Sequence, residues 1–131
     1  MFMSSKKIIQ TPEAPKAIGP YSQAVESHGF LFLSGQIPLD PKTNQLISST
    51  SVADQTERVL QNIQNLLKSK NLSLDHVVKT TLFLKNMTDF PTVNEVYQSF
   101  FSQNPPARST IEVSRLPKDV LIEIEAIATL D

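Results

Sequence analysis

Two residues in the last fifth of the chain have the types and the setting of a small-anion site. Arg108 stands where two prolines and an alanine lead into a strand, and Glu123 lies among isoleucines on the next strand. A guanidinium offers a planar fork of donors that can pair bidentately with a carboxylate. A carboxylate on a half-apolar strand can orient water and move protons, because burial raises its pKa toward neutrality. The residues alone also allow a surface ion pair of Arg108 with Glu112 or Asp119, and a solvated Glu123 beside Glu125.

Three further polar residues have settings that allow either a binding role or a structural one. Tyr21 follows a Gly-Pro pair and could place its phenol over a cleft, or cover the core from an edge strand. Ser34 could donate its hydroxyl to a ligand or satisfy the end of a strand. Asn94 lies on a predicted helix, where the alternative is an exposed amide without a ligand.

The sequence lacks the other constellations that commonly do chemistry. His28 and His76 lie by turns, without a second histidine or a carboxylate at ligand spacing, so no metal site is predicted. There is no cysteine, which excludes a thiol nucleophile and a disulfide framework. The three glycines are too scattered for a phosphate-binding loop.

Length and charge bound the class of protein. The 131 residues are the usual size of one domain, and we expect a single domain over 1–131. The net charge is −1, with 12 basic and 13 acidic side chains mixed along the chain, so the basic cluster that nucleic acid requires is missing. The start of the chain has no apolar run long enough for a signal peptide or a membrane span. We therefore expect a cytoplasmic protein and disfavour nucleic acid or a membrane as its partner.

Hydrophobic periodicity predicts two helices. Ser51 is the predicted N-cap of the first, with Asp54 three residues later, and this helix is expected to end near Asn71. Asp89 is the predicted cap of the second, where Pro91 is tolerable in the first turn. The apolar stripe of the first helix consists of Ala53, Thr56, Val59, Leu60, Ile63, Leu66 and Leu67, and that of the second consists of Phe90, Val93, Tyr97, Phe100 and Phe101.

Apolar and alternating runs predict six strands around these helices. The strands are expected at 6–10, 21–27, 30–34, 77–84, 108–115 and 120–128, with a tight turn at His28 and Gly29 and a loop at 38–44. Helices between strands imply crossovers and a partly parallel sheet, an α+β arrangement with a mixed sheet.

The last two predicted strands carry the candidate site. Arg108 shares a side of its strand with Thr110, and Glu123 shares a side with Leu121 and Ile127. A turn at 116–119 would join the two strands as a hairpin. Because two helices cover only one face of a six-stranded sheet, the exposed side with Leu121 and Ile127 predicts oligomerisation.

The chain resembles the Rid family of reactive-intermediate deaminases, once called YjgF-like, over nearly its whole length. The resemblance implies a chorismate-mutase-like fold and a homotrimer whose three sheets form a central barrel, with binding clefts between subunits. It also implies that the last strand inserts between earlier strands, so that the connection at 116–119 is a crossover. The motifs that carry it are AIGPY at 17–21, SGQIP at 34–38, VKTT at 78–81, TVNEVY at 92–97, PARS at 106–109, LPKD at 116–119 and IEIEA at 122–126.

The same resemblance implies a role for each candidate residue. Arg108 matches the arginine that binds the substrate carboxylate, and Glu123 matches the acidic catalytic residue beside the nitrogen-bearing carbon. Further residues that line the family's cleft correspond to Tyr21, Ser34 and Asn94. Thr110 is a departure, since many relatives have cysteine at this substrate-binding position, but hydrolysis built on arginine and glutamate needs no sulfur.

These roles imply an enzyme that hydrolyses short 2-imino and 2-enamino acids to 2-oxo acids and ammonia. Its substrates would be 2-iminobutanoate and 2-iminopropanoate, formed from intermediates of the 2-aminoacrylate type, and it would need no cofactor. One alternative is a non-catalytic module that binds a small carboxylate, or a chaperone-like protein. A ribonuclease or translation inhibitor is a further alternative, which the charge disfavours.

Overall fold

Six strands form one mixed sheet, and two helices pack on one of its faces, as predicted. The computed structural model describes residues 5–131. The expectation that the chain has no signal peptide rests partly on residues 1–4, which lie outside the described residues. The strands of the sheet are β1 (Lys7–Ile9), β2 (Ala24–Ser27), β3 (Phe30–Gln36), β6 (Val77–Leu84), β7 (Ala107–Glu112) and β8 (Ile122–Thr129). Segment 38–44 is more than the predicted loop, since β4 (Leu39–Asp40) and β5 (Gln45–Leu46) form a small separate hairpin.

The first helix, α1 (Val52–Lys68), begins and ends close to the prediction. The Ser51 side chain accepts a hydrogen bond from the Asp54 backbone N–H at 3.3 Å, which satisfies one of the free donors of the first turn. Apart from the half-buried Ala53, its apolar stripe is buried against the sheet, with Leu60 and Ile63 fully inaccessible to solvent.

The second helix, α2 (Phe90–Phe100), begins at the predicted place but without the predicted cap. Asp89 occupies the N-cap position, yet its side chain makes no capping hydrogen bond. The reason is local: a 3-10 turn over Met87–Asp89 runs directly into the helix, so Asp89 already has helical backbone angles. Extended backbone angles are what an N-cap side chain needs to reach back to the first turn.

The strand order is β1-β2-β3-β8-β6-β7, so the hairpin predicted between the last two strands is wrong. β8 lies antiparallel between β3 and β6, and β7 pairs parallel with β6 on the far side. Segment 116–119 is therefore part of a crossover over β6, as the family resemblance implied. A hydropathy pattern records which residues alternate, but it does not record which strand is the neighbour.

Two local features shape the sheet near the candidate site. His28 and Gly29 have φ values of 52° and 84°, the positive pair that a tight β2–β3 turn requires. Between Leu33 and Gln36 the pairing of β3 with β8 shifts register at a β-bulge, which contains Ser34 and Gly35. Such a bulge bends the strand and redirects its side chains.

Helices pack on one face of the sheet but not on the other. The helix face packs beneath α1 and α2 and includes Leu82, Leu84, Ile122 and Ile124, all fully buried. The opposite, helix-free face includes Phe32, Phe83, Ile111, Glu123, Glu125 and Ile127. On this face Phe32 and Ile111 are 44% and 46% exposed, so part of its apolar surface is open in a single chain.

Candidate functional site

Arg108 lies on the edge strand β7 and reaches toward α2. Its Nη1 donates to Asn94 Oδ1 at 2.8 Å. Its guanidinium carbon lies 5.2 Å from the centre of the Phe90 ring and 4.9 Å from that of the Tyr97 ring, within cation–π range. The three α2 residues therefore hold the guanidinium at the rim of a depression of about 520 Å³.

The ion pairs that the sequence alone allowed for Arg108 are not formed. Asp119 binds Arg115 instead, through a 2.7 Å contact with its Nε. Glu112 accepts a hydrogen bond from the Met87 backbone N–H at 2.8 Å, which ties the start of α2 to the end of β7. Among residues 5–131 no carboxylate lies within ion-pair distance of Arg108, so its charge faces solvent.

Glu123 lies on β8 against the backbone of Gly35. A Cβ built on Gly35 would overlap the Glu123 carboxylate oxygen Oε2, so a larger residue at this position would require the carboxylate to move. The carboxylate lines a second depression, of about 470 Å³, whose walls include Ile18, Ile37 and Pro117. These apolar walls are the partly apolar cleft that a proton-transfer group needs.

The environment of Glu123 favours its protonated form. Burial raises the pKa of Glu123, and the nearby negative charge of Glu125 raises it further. Glu125 lines the same depression but is exposed. Of the two glutamates on this strand face, Glu123 is therefore the one whose surroundings suit acid–base chemistry.

Tyr21 and Ser34 line the depression at Glu123. Tyr21 is exposed, and its hydroxyl accepts a hydrogen bond from the Ile18 backbone N–H at 3.3 Å. The Ser34 hydroxyl donates to the Ser22 carbonyl at 2.6 Å. Ser34 thus performs the structural role that the sequence left open, and its proton is already engaged.

Thr110 lies on the same side of β7 as Arg108, but it does not line the depression there. Its Oγ1 is buried without a hydrogen-bond partner among the described residues. Burial without a partner costs free energy. Thr110 is thus a neighbour of Arg108 on β7, and its part in substrate binding stays a prediction.

In one chain, Arg108 and Glu123 lie on opposite faces of the sheet. Arg108 pairs with Thr80, whose hydroxyl bonds to Tyr97 of α2, so both belong to the helix face. Glu123 pairs with Phe83, three residues further along β6 and hence on the other face. Two strand spacings and three residues separate the backbones by roughly 14 Å. A small ligand cannot contact both side chains of one chain.

Three residues that shape the surroundings of Arg108 and Glu123 were not predicted from the sequence. Phe90 and Tyr97 were assigned to the core, yet their rings contact Arg108. The signal was available, because Phe90, Asn94 and Tyr97 are spaced four and three apart and share one helix side. Gly35 was noted only as the neighbour of Ser34, although a glycine within a strand pattern often marks a bulge or a close approach.

Residues 5–131 contain no group of three or more His, Asp or Glu side chains that could hold a metal ion. None of the helices in this part of the chain is long and apolar enough to cross a bilayer.

Comparisons with known proteins agree with the resemblance noted in the sequence. Residues 11–130 match the family model described as endoribonuclease L-PSP. A RutC family protein of Pyrococcus horikoshii is 54% identical over 94% of this chain and 97% of its own. The chloroplastic Reactive Intermediate Deaminase A of Arabidopsis thaliana is 48% identical over 95% of this chain and 66% of its own.

A solved structure shows the same fold at high identity. The structure of TdcF from E. coli with bound serine has a TM-score of 0.88 and 44% identity, covering 94% of this chain and 98% of that one. The family match spans most of the chain, and the TM-score shows that the fold is shared with the solved structure. The chain therefore belongs to the Rid family, the YjgF-like and RutC-like proteins whose family model is described as endoribonuclease L-PSP.

Proposed function

We propose that this protein hydrolyses short 2-imino acids, and the 2-enamino acids that tautomerise to them, to 2-oxo acids and ammonia. For 2-iminobutanoate, one water adds across the C=N bond, and the products are 2-oxobutanoate and ammonia. An enamine of the 2-aminoacrylate type first takes a proton at its terminal carbon and loses one from nitrogen, which converts it to 2-iminopropanoate. Neither reaction transfers electrons to or from the substrate, so neither needs a redox cofactor.

The observation that carries the proposal is the placement of Arg108 and Glu123 on opposite faces of one sheet. A site that uses both must combine Arg108 of one chain with Glu123 of another. The open apolar residues of the helix-free face, such as Phe32 and Ile111, provide a surface on which chains can associate. We place the site between neighbouring subunits of a homotrimer, with Tyr21 and Ser34 on the Glu123 side and Asn94 on the Arg108 side.

Arg108 would hold the substrate by its carboxylate. Nη1 is engaged with Asn94, and no other acceptor among the described residues contacts the guanidinium. The remaining donors can therefore form the two parallel hydrogen bonds of a bidentate pair. Because the carboxylate adjoins the C=N carbon, this pair fixes the reacting carbon in the cleft and lowers the entropic part of the barrier.

Glu123 would handle water and protons. In its ionised form the carboxylate takes a proton from water as the oxygen adds to the C=N carbon. It then returns that proton to nitrogen and relays the hydroxyl proton to nitrogen as well, so that the tetrahedral intermediate collapses to the ketone and the nitrogen leaves as ammonia. The raised pKa of Glu123 suits both transfers, since a group that titrates nearer neutrality serves as base and then as acid.

Two relatives support this reading by their chemistry. The Arabidopsis relative is named a reactive intermediate deaminase. The E. coli relative TdcF was solved with bound serine, which has a carboxylate next to a nitrogen-bearing carbon. A 2-imino acid presents the same two groups in a planar arrangement.

The test is a coupled assay in which an amino-acid oxidase releases 2-iminobutanoate and semicarbazide traps what remains of it. Wild-type protein should lower the trapping rate. Arg108→Ala should lose about 10²-fold in rate through lost positioning, and Glu123→Gln about 10²- to 10⁴-fold through lost proton transfer. Matched controls are Arg115→Ala, which removes a surface ion pair, and Glu57→Gln on the exposed side of α1. Full activity in Arg108→Ala would refute the assignment, and ligand binding without turnover in the wild type would favour the non-catalytic alternative.

The family description supports a second candidate, the cleavage of RNA. The charge of this chain argues against RNA cleavage, because a net charge of −1 provides little attraction for a phosphate backbone. Incubation of labelled RNA with wild type and Glu123→Gln, purified identically, separates the two candidates. Cleavage that disappears in the variant would favour a ribonuclease, and equal or no cleavage in both would exclude it.

A further inference from the structure

Tyr97 connects Arg108 to the buried core. Its hydroxyl shares a 2.7 Å hydrogen bond with the Thr80 hydroxyl, and its ring centre lies 4.9 Å from the Arg108 guanidinium carbon. Thr80 is the direct strand partner of Arg108 in the β6–β7 pair. One aromatic side chain thus contacts both members of a cross-strand pair, one by a hydrogen bond and the other by its ring.

The hydrogen-bonded pair of Thr80 and Tyr97 is buried, whereas Arg108 is open to solvent. Thr80 is 0% exposed and Tyr97 is 6% exposed, while Arg108 is exposed. A buried hydroxyl must keep a partner, and each of these two is the partner of the other. The bond therefore holds the hydroxyl end of the Tyr97 side chain at β6, while its ring also packs against Phe101, whose ring centre is 4.6 Å away.

The Tyr97 ring is suited to carry a cation. Burial raises the pKa of its phenol, although the Thr80 hydrogen bond and the charge of Arg108 act in the opposite direction. The phenol is thus neutral at physiological pH, and its ring attracts the guanidinium through the aromatic face rather than through a phenolate oxygen. Phe90 lies 5.2 Å from the same guanidinium carbon, so aromatic rings contact it from two residues of α2.

We propose that Tyr97, fixed by its hydrogen bond to Thr80, is a positioning residue that orients the free edge of the Arg108 guanidinium toward the substrate carboxylate. This inference rests on the proposed function, because it assigns Tyr97 a part in the same carboxylate site. Arginine has several rotatable bonds, and fixing its planar fork before binding reduces the entropy that the ligand must otherwise offset. Tyr97 itself need not touch the substrate.

The experiment measures binding of 2-oxobutanoate, a stable carboxylate product, by calorimetry, together with the unfolding midpoint of each variant. Tyr97→Phe leaves the buried Thr80 hydroxyl without a partner, so both stability and affinity should fall. The double variant Thr80→Val/Tyr97→Phe replaces both hydroxyls by apolar groups of similar shape, so stability should recover. Affinity should stay at least about threefold below wild type, because the ring is no longer fixed. Tyr97→Leu removes the ring and should weaken binding by about threefold to thirtyfold.

The control for stability alone is Ile63→Val in the α1 core, which should lower the midpoint without changing affinity. A double variant that binds 2-oxobutanoate as tightly as wild type overturns the inference. The proposed function fails separately, and takes the inference with it, if wild type does not bind 2-oxobutanoate or if Arg108→Ala binds it equally well. Binding that requires Arg108 and stays weak in the stable double variant supports both.

Discussion

Gly35 decides where the Glu123 carboxylate can lie. Because a Cβ at this position would overlap Oε2 of Glu123, Gly35→Ala should push the carboxylate out of its place. A displacement of about 1 Å can cost up to about 10²-fold in turnover. Gly19→Ala is the matched control, since its Cβ would meet the Tyr21 ring at an ordinary 3.4 Å contact and should leave turnover close to wild type. Rates measured in the imine assay that are equal for wild type and Gly35→Ala would show that the position of Glu123 is not critical.

The charge of Glu125 offers a test through pH. Burial first, and Glu125 second, raise the pKa of Glu123, so the loss of turnover on acidification should begin closer to neutrality than for an ordinary carboxyl. Glu125→Gln removes the second cause and should shift the acidic limb of the kcat/KM profile to lower pH. A limb that stays in place or moves to higher pH would contradict the assignment of that limb to Glu123.

The raised pKa of Glu123 also predicts how the stability of the folded protein changes with pH. A carboxyl with a folded-state pKa above its unfolded value binds its proton more tightly in the folded protein. Its contribution to stability is complete below the unfolded pKa and is lost as pH rises through the folded pKa. Glu123→Gln, which cannot ionise, should therefore be more stable relative to wild type at neutral pH than at acidic pH. This is the usual signature of a residue placed for function at some cost in stability.

Gln23 is the residue that fixes the segment leading to Tyr21. It is 5% exposed, accepts from the Thr11 backbone N–H at 2.7 Å, and donates to the carbonyls of Thr11, Ala14 and Pro15. Gln23→Ala leaves several buried backbone groups without partners and should lower the free energy of unfolding by about 2–3 kcal/mol. Gln61→Ala, on the exposed side of α1, should change it by less than about 0.5 kcal/mol. Urea unfolding measures both, and equal values would contradict this role.

The elements differ in how far the sequence alone predicts them. The Ser51 cap, the apolar stripe of α1 and the His28–Gly29 turn are confirmed, because each depends on residues within a few positions of one another. The hairpin at 116–119 is wrong, because strand order depends on contacts between distant segments. Asp89 fails as a cap for a different reason, since the preceding 3-10 turn alters its backbone angles.

The candidate site could be predicted in its residue types but not in its geometry. The setting of Arg108 and Glu123 in the sequence indicated a carboxylate site. Their placement on opposite faces follows from the register in which β7 and β8 pair with β6, which the sequence does not record. Likewise, the spacing of Phe90 and Tyr97 indicates one helix side, but the contact of both rings with Arg108 depends on how α2 lies over β7.

The proposed site requires residues from two chains. Arg108 belongs to the helix face and Glu123 to the helix-free face, which carries exposed Phe32 and Ile111. A closed ring of three identical subunits would repeat one heterologous interface three times. Each interface would then contribute Arg108 from one subunit and Glu123 from its neighbour.

The most direct test is complementation between two inactive variants, Arg108→Ala and Glu123→Gln, co-expressed with different affinity tags. A mixed trimer of either composition contains one interface in which both residues are intact. Random assembly at equal expression should therefore restore about a quarter of wild-type turnover, in a species that sediments as a trimer. Each variant purified alone should remain inactive. Mixed trimers that are as inactive as either parent would contradict a site shared between subunits.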